Sequence, residues 1–402
     1  MRGGSGVKKQ IPTANSVFAN HNLPLDGVRA IAAYLIVLHH ITFAAGITSN
    51  NSYQAWGRFT GRFDIGVPIF FILSGFLLFR PYARAILTQQ TLPSAYAFWR
   101  KRLTRILPAY WLALVVMLAI GAVEVNGTEG FFFSALLINI YSPTHLISGI
   151  TQSWSLATEL SFYLLLPVLA YLLLRLTKII PLPNRGVIAL CFTAGLYATS
   201  IFFRLTAHLL DPSFLKVIPF WLPSLIDIFA LGMALAILAE LSPIYGWAET
   251  FCSFVSRWAA VCVLLAVTLF WTVSTQFSLA LGLETSGFAR ETIRQFFYGL
   301  IGLFLVAPFA LPGPHTRSHR FFGQKWLAWA GIVSYGVYLW HQLFISGDWS
   351  QRWMPYQFFD TEVLSRVLIT TSATFVIAAL SYYLFEEPVS RFINKRREKQ
   401  TG

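Results

Sequence analysis

The sequence predicts an all-α protein, a polytopic membrane helix bundle with about ten transmembrane helices. Three observations predict this fold: the composition, the length and number of the apolar stretches, and the distribution of basic residues between them. Of the 402 residues, 56% are hydrophobic and only 12% are charged. A soluble domain carries about 25% charged residues, so the composition indicates that most of the surface faces lipid rather than water.

The apolar stretches set the number of helices, because about 20 apolar residues are needed to cross the hydrocarbon core. Ten candidates lie near residues 28–47, 65–79, 106–123, 154–174, 186–204, 217–239, 257–273, 293–311, 328–346 and 364–384. The second is short, so we expect it to cross with little tilt or to extend at one end. The stretch from Phe131 to Tyr141 is too short to span and is predicted to be interfacial or re-entrant.

The basic residues predict the orientation. If the N-terminus lies in the cytoplasm, most of the 30 lysines and arginines fall in inner loops, as the positive-inside rule requires. We therefore expect a cytoplasmic tail at 1–24, a membrane domain at 25–388 and a basic cytoplasmic tail at 389–402, in the plasma or inner membrane. The N-terminus has no signal-peptide core. Because topology explains the net charge of +13, we predict no nucleic-acid partner.

The sequence gives no sign of a metal site or a disulfide framework. Cys191, Cys252 and Cys262 lie in or beside apolar stretches and are predicted to be small core residues. There is no HExxH, no P-loop and no dinucleotide-binding GxGxxG motif. We therefore predict no metal and no bound cofactor.

The first apolar stretch contains the most informative ionisable residues, since charges inside a membrane are costly and usually functional. His40 follows Arg29 by eleven residues, which is about 16 Å and close to three helical turns, so the two share a face. A desolvated imidazole is largely neutral, and a neutral imidazole is a plausible general base. His39 points about 100° away. For both histidines the alternative is a packing role with a hydrogen bond to a neighbour.

Two arginines precede the third apolar stretch in the segment FWRKRLTRILPAYW. Arg102 and Arg105 are three residues apart and therefore lie on one helix face. A pair of guanidinium groups at the inner end of a span is suited to binding phosphates. The alternative is positive-inside anchoring between interfacial tryptophans.

Further polar residues lie in the other apolar stretches. Glu159, in WSLATELSFYLLLP, can orient an imidazole or bind a hydroxyl-bearing substrate, or it can form only an interhelical hydrogen bond. Tyr338 and His341 share a face of SYGVYLWHQLF, where an interfacial belt is the alternative. Ser74 lies in FFILSGFLL without the GxSxG motif of a serine nucleophile. Asp227 has no assigned role.

These segments, in this order, resemble the acyltransferase-3 family of integral membrane O-acyltransferases. The resemblance extends over residues 25 to 388 and rests on LDGVRA with the Arg-x10-His spacing, FFILSGFLL, RLTR, WSLATELSFY, SYGVYLWH and LSYYLFEEP. It implies a ten-helix domain that takes an acyl group from cytoplasmic acyl-CoA to a hydroxyl of a sugar, glycolipid or glycosylated small molecule. It also implies that Arg29, His40, Arg102 and Arg105 are required for activity.

The chain departs from the family pattern at two places. Pro68 replaces an acid that relatives often have, and Leu160-Ser161 follows Glu159 where Glu-Gln is common. The soluble esterase-like domain of some relatives is not seen in the sequence. We therefore expect transfer to the acceptor in the membrane domain or with a partner.

The residues and the resemblance together give a mechanistic hypothesis with acyl-CoA, acetyl-CoA by default, as co-substrate. His40 is the expected general base. Glu159 is expected to orient either the imidazole or the acceptor, and Arg29, Arg102 and Arg105 are expected to bind acyl-CoA through its phosphates. Residues with a possible acceptor or structural role are His39, Ser74, Tyr338 and His341. Two alternatives remain: a transporter or flippase that uses buried His and Glu as a proton relay, and a non-catalytic membrane sensor or scaffold.

Overall fold

The computed structural model describes residues 21–48, 54–178, 180–210, 216–277, 279, 287–345 and 362–392. Within these ranges every regular element is helical, which confirms the predicted all-α class. Most of each predicted tail, 1–24 and 389–402, lies outside the described residues. The division into tails and a membrane domain therefore stays a prediction.

The described helices are numbered in chain order. They are α1 (Leu23–Ala44), α2 (Gln54–Thr60), α3 (Gly66–Leu87), α4 (Ala95–Ala119), α5 (Gly127–Ala135), α6 (Ser153–Lys178), α7 (Leu182–Leu210), α8 (Leu222–Leu241), α9 (Gly246–Arg257), α10 (Ala259–Thr275), α11 (Phe288–Ala310), α12 (Arg317–Phe322), α13 (Lys325–Ile332), α14 (Ser334–Trp340) and α15 (Glu362–Ser381). Short 3-10 turns precede α3, α6 and α8 and follow α14, and a π-helical turn follows α15.

Eight helical segments of the described chain are long and apolar enough to cross a membrane, or up to nine if the bent pair α9–α10 counts as one span. These segments contain α1, α2 with α3, α4, α6, α7, α8, α11 and α15. The protein is therefore a multi-pass membrane protein, and the predicted number of about ten is approximate. The seventh predicted span, 257–273, corresponds to α10, which meets α9 at an angle of 67°.

The ninth predicted span, 328–346, is not one helix. The described part of this stretch is divided among α13, α14 and the 3-10 turn His341–Phe344. The stretch as a whole is apolar enough to resemble one span, although Ser334 and His341 lie at the breaks. Irregular backbone at membrane depth is tolerated where it is buried in protein, and Val333, between α13 and α14, is buried.

Helix α3 extends the short second stretch at its predicted inner end. It runs through Pro81 to Leu87. Arg80 and Arg84, one turn apart, bind the carboxylate of Glu240 on α8 at 2.7 and 2.8 Å. This ion pairing explains why α3 continues beyond the apolar residues.

The centre of the bundle is the contact between α3 and α8. Their span segments are each 72% buried, against 22% for those of α7 and α15. A Cβ atom on Gly232 would overlap the carbonyl oxygen of Ile72, so the backbones touch there. Phe229 of α8 stacks on Phe71 of α3 and on Phe162 of α6, with ring centroids 4.5 and 4.1 Å apart. These contacts fix α6 beside α3.

Candidate active site

A cavity of about 370 Å³ lies between α1, α3, α4, α6 and α14. The size lies within the range of small-molecule sites. It brings together all the predicted site residues except the three histidines: Arg29, Ser74, Arg102, Arg105, Glu159 and Tyr338. Five helices from distant parts of the sequence therefore form one site.

One end of the cavity is strongly basic. Arg29 comes from the first turns of α1, and Arg102 and Arg105 come from one face of α4, as their spacing predicted. Arg29 donates to Asp26 at 3.1 Å, and His21 contacts the other carboxylate oxygen at 2.9 Å. These residues lie where the charge distribution predicts the cytoplasm, so the cavity is suited to anions entering from that side.

The two α4 arginines differ in their surroundings. The guanidinium carbon of Arg102 lies 5.9 Å from the ring centroid of Phe98, and its Nε is buried without a hydrogen-bond partner among the described residues. Arg105 is exposed. In the described part of the chain, neither arginine is ion-paired with a carboxylate. Both guanidinium groups are therefore able to bind an anionic ligand.

The interior of the cavity carries several hydroxyl groups and the Glu159 carboxylate among apolar side chains such as Phe71 and Leu156. The Ser74 hydroxyl of α3 donates to the carboxylate of Glu159 on α6. This is the interhelical hydrogen bond that the sequence allowed as an alternative, although Glu159 also faces the cavity. Tyr338 donates to the carbonyl of Gln152 at 2.5 Å and accepts from Ser155 at 2.6 Å. These bonds hold the polar groups in fixed positions.

The three predicted histidines form a separate cluster beside the cavity. His40 is half-buried near the far end of α1, and its Nδ1 lies 3.2 Å from Nε2 of the fully buried His341. The ring of His341 lies 5.9 Å from that of Tyr338, measured between centroids. His40 does not line the cavity itself. A line of contacts, Tyr338 to His341 to His40, connects it to the cavity.

His39 has a different environment. Its Nδ1 lies 3.1 Å from the carbonyl oxygen of Thr60, and its ring meets that of His40 edge-on at 5.1 Å between centroids. The contact with Thr60 joins α1 to the end of α2, which agrees with a packing role for His39.

Sequence reasoning missed several cavity residues that lie inside the motifs it used. Asp26 lies in LDGVRA, Ser155 and Tyr163 in WSLATELSFY, and Tyr335 in SYGVYLWH. Ser155, Glu159 and Tyr163 are spaced four apart, which places them on one helix face. That spacing was a signal that the face of α6, and not Glu159 alone, lines a site.

Asp227, which had no assigned role, forms a buried ion pair. Its carboxylate accepts from Arg204 of α7 at 2.9 Å and from Gln295 of α11 at 3.0 Å, and its side chain is fully buried. Buried charges are expected to be paired in this way. Asp227 therefore joins three helices outside the cavity. Among the residues that the structure describes, no group of His, Cys, Asp and Glu is arranged to bind a metal ion.

Comparison with known proteins gives relatives over almost the whole chain. The chain is 26% identical over 394 residues to the peptidoglycan O-acetyltransferase OatA of Listeria monocytogenes, covering 92% of this chain and 56% of that protein. It is 23% identical over 405 residues to the O-acetyltransferase OatA of Staphylococcus aureus, covering 95% and 60%. Nodulation protein 10 of Rhizobium leguminosarum is 26% identical over 363 residues, covering 81% and 82%. No solved structure matches the chain.

The chain thus spans less than two thirds of the length of these two OatA proteins. A family model is more decisive, since the one described as an acyltransferase domain matches residues 22–386. This range includes every residue of the cavity except His21. It confirms the resemblance drawn from the motifs, and the chain belongs to the acyltransferase-3 family of membrane acyltransferases.

Proposed function

We propose that the protein is a membrane O-acyltransferase that moves an acetyl group from acetyl-CoA to a hydroxyl of a cell-envelope carbohydrate. One observation carries the proposal: a single cavity brings together three arginines and ordered hydroxyl and carboxylate groups. The basic end suits the CoA phosphates. The names of the OatA relatives, which specify O-acetyltransferases and in one case peptidoglycan, support the acetyl group and the carbohydrate acceptor.

In this proposal the arginines bind the phosphates and the pantetheine arm follows the cavity inward. The phosphates bind to the guanidinium groups of Arg29, Arg102 and Arg105. The carboxylate of Glu159, which accepts a hydrogen bond from Ser74, orients the acceptor hydroxyl or the imidazole. The modest cavity volume favours a short acyl group. Fixing the thioester and the hydroxyl in one site lowers the entropic cost of their reaction.

His40 is the proposed general base. The acceptor oxygen bonds to the thioester carbonyl carbon, the carbon–sulfur bond breaks, and the hydroxyl proton passes to His40 and then to the CoA thiolate. His40 is in contact with His341, which contacts the cavity residue Tyr338. Because a general base acts within hydrogen-bond distance, the proposal requires the thioester and the acceptor hydroxyl to pass the Tyr338–His341 contact and reach the His40 ring.

The base assignment predicts that His40→Ala lowers the rate of acetyl transfer about 100- to 10,000-fold, the usual contribution of a general base. Purified protein in lipid nanodiscs is supplied with acetyl-CoA and a soluble N-acetylglucosamine oligomer, and release of CoA thiol is measured. His208→Ala is the matched control, because His208 also bonds the carbonyl four residues earlier in its helix, at 2.9 Å. Activity of His40→Ala within twofold of the parent, at equal insertion, would contradict the assignment.

The acceptor class needs its own experiment. Mass spectrometry of envelope glycans from cells with and without the protein should show O-acetyl groups only where the protein is present. O-acetylation that appears only on secreted small molecules would contradict the envelope acceptor and leave the transferase chemistry intact.

A further inference from the structure

We infer that His341 is a positioning residue that holds the orientation of the His40 imidazole and stabilises its protonated form. This inference rests on the proposed role of His40 as the base. It concerns a residue for which the sequence allowed only an acceptor or structural role. The argument uses the hydrogen-bond partners of the two rings.

The first step is the protonation of His341. Its Nδ1 lies 3.2 Å from the carbonyl oxygen of Val337. A carbonyl oxygen can only accept, and in a neutral imidazole only one nitrogen carries a proton. The proton of His341 is therefore on Nδ1, and its Nε2 is a hydrogen-bond acceptor.

The second step is the protonation of His40. Its Nδ1 lies 2.9 Å from the carbonyl oxygen of Ile36 and 3.2 Å from Nε2 of His341. Both partners are acceptors, so Nδ1 of His40 must carry the proton and share it between them. The lone pair of His40 is then on Nε2, which is the nitrogen left to take a proton from substrate.

The third step is the contribution that His341 makes beyond the hydrogen bond between His40 and the Ile36 carbonyl. A second acceptor at Nδ1 restricts rotation of the His40 ring and stabilises the imidazolium that forms when Nε2 accepts a proton. A carboxylate or carbonyl behind a reactive histidine has the same two effects in other enzymes. His341 itself is fully buried on the turn after α14, so it is held rigidly enough to position a neighbour.

His39 does not share this function. It also contacts His40, but its Nδ1 is directed to the Thr60 carbonyl and its ring meets His40 edge-on. The geometry thus distinguishes the two neighbours of His40, and only His341 offers a nitrogen lone pair to Nδ1.

The test compares two substitutions of His341 in the full-length protein in nanodiscs. His341→Leu removes the acceptor and should lower kcat about 10- to 100-fold, the usual effect of losing such a supporting partner. The KM for acetyl-CoA should stay unchanged because the arginine end is untouched. His341→Gln, whose side-chain oxygen can reach the place of Nε2, should recover most of kcat.

The same pair of changes at His208 is the control, since that imidazole makes the same kind of bond to a carbonyl and does not line the cavity. Neither His208 variant should change kcat. A kcat for His341→Leu within twofold of the parent would overturn the positioning role while leaving the base assignment intact, provided that His40→Ala is inactive. Equal loss in the Leu and Gln variants, with an equal fall in thermal stability, would show that His341 is only structural. Full activity of His40→Ala would instead overturn the proposed function.

Discussion

At the scale of single residues, the basic end of the cavity has one arginine that is neutralised and two that are not. Asp26, only 3% exposed, binds both Arg29 and His21. Arg102 and Arg105 have no such carboxylate among the described residues. The charge that remains for a ligand therefore resides mainly on α4. Arg29 is held in place by its partner before any ligand arrives.

The α4 arginines predict a defect in donor binding. Arg102→Ala or Arg105→Ala should raise the KM for acetyl-CoA about tenfold or more, because a hydrogen bond to a charged group contributes about 1.5–3 kcal/mol and about 1.4 kcal/mol is a factor of ten. Initial rates at varied acetyl-CoA concentration measure this. Lys101→Ala, which removes an exposed charge from the same helix, should leave KM unchanged.

A second donor makes the phosphate role specific. S-acetylpantetheine has no phosphate, so the arginine variants and the parent should use it equally well. If the KM for S-acetylpantetheine rises in the variants by the same factor as the KM for acetyl-CoA, the arginines support the fold of the cavity and do not bind phosphate.

At the scale of elements, the contact between α3 and α8 requires small residues. Gly75 and Gly232 each face the backbone of the other helix, where a side chain would overlap a carbonyl oxygen. Close backbone approach of this kind is a common means of helix association in membranes. Since α3 also supplies Ser74 to the cavity, this contact determines where one wall of the site lies.

The glycine contact predicts a loss of stability on a minimal substitution. Gly232→Ala should destabilise the protein by about 1–3 kcal/mol, the usual cost of overpacking a core, and lower the Tm in a fixed detergent. Gly195→Ala is the matched control, because a Cβ there has no atom within 4 Å and alanine favours a helix. A Tm for Gly232→Ala equal to that of Gly195→Ala would refute the close contact.

At the scale of the whole molecule, charge and architecture give the two faces different chemistry. The segment from Arg80 to Arg105, which contains the end of α3 and the start of α4, is rich in basic residues, and the 124–153 segment has no Lys or Arg. On the second side, Phe131 and Phe132 of α5 are exposed, as befits a short helix at the interface. The arginines of the cavity lie on the basic side, which the positive-inside rule predicts to be cytoplasmic and from which the proposed donor would enter.

The orientation predicts a labelling pattern. In a variant without natural cysteines, Thr144→Cys in the 124–153 loop should react with a membrane-impermeant maleimide on intact cells. Thr91→Cys in the basic loop should react only after the membrane is permeabilised. Both positions are exposed. The reverse pattern would invert the topology and with it the side from which the donor enters.

The fold class and part of the cavity could be predicted from the sequence because both depend on local properties. The lengths of the apolar stretches predicted most of the spans. The three-residue spacing of Arg102 and Arg105 predicted that they share one face of a helix. The pairing of Arg204 with Asp227 could not be predicted, since it depends on how α7 and α8 pack. The breaks near Val333 and His341 were missed because the mean hydropathy of the whole stretch is that of a span, and a few polar residues within it do not show where the helix ends.

The segment that contains α12 and α13 also presses on the start of α1. A Cβ atom on Gly331 of α13 would overlap the carbonyl oxygen of Asp26, and one on Gly27 would overlap that of Phe322. The mouth of the cavity at Arg29 and its inner end at Tyr338 are thus coupled through one continuous stretch of backbone. A displacement of this stretch would therefore shift Arg29 and Tyr338 together, and with Tyr338 its ring contact to His341.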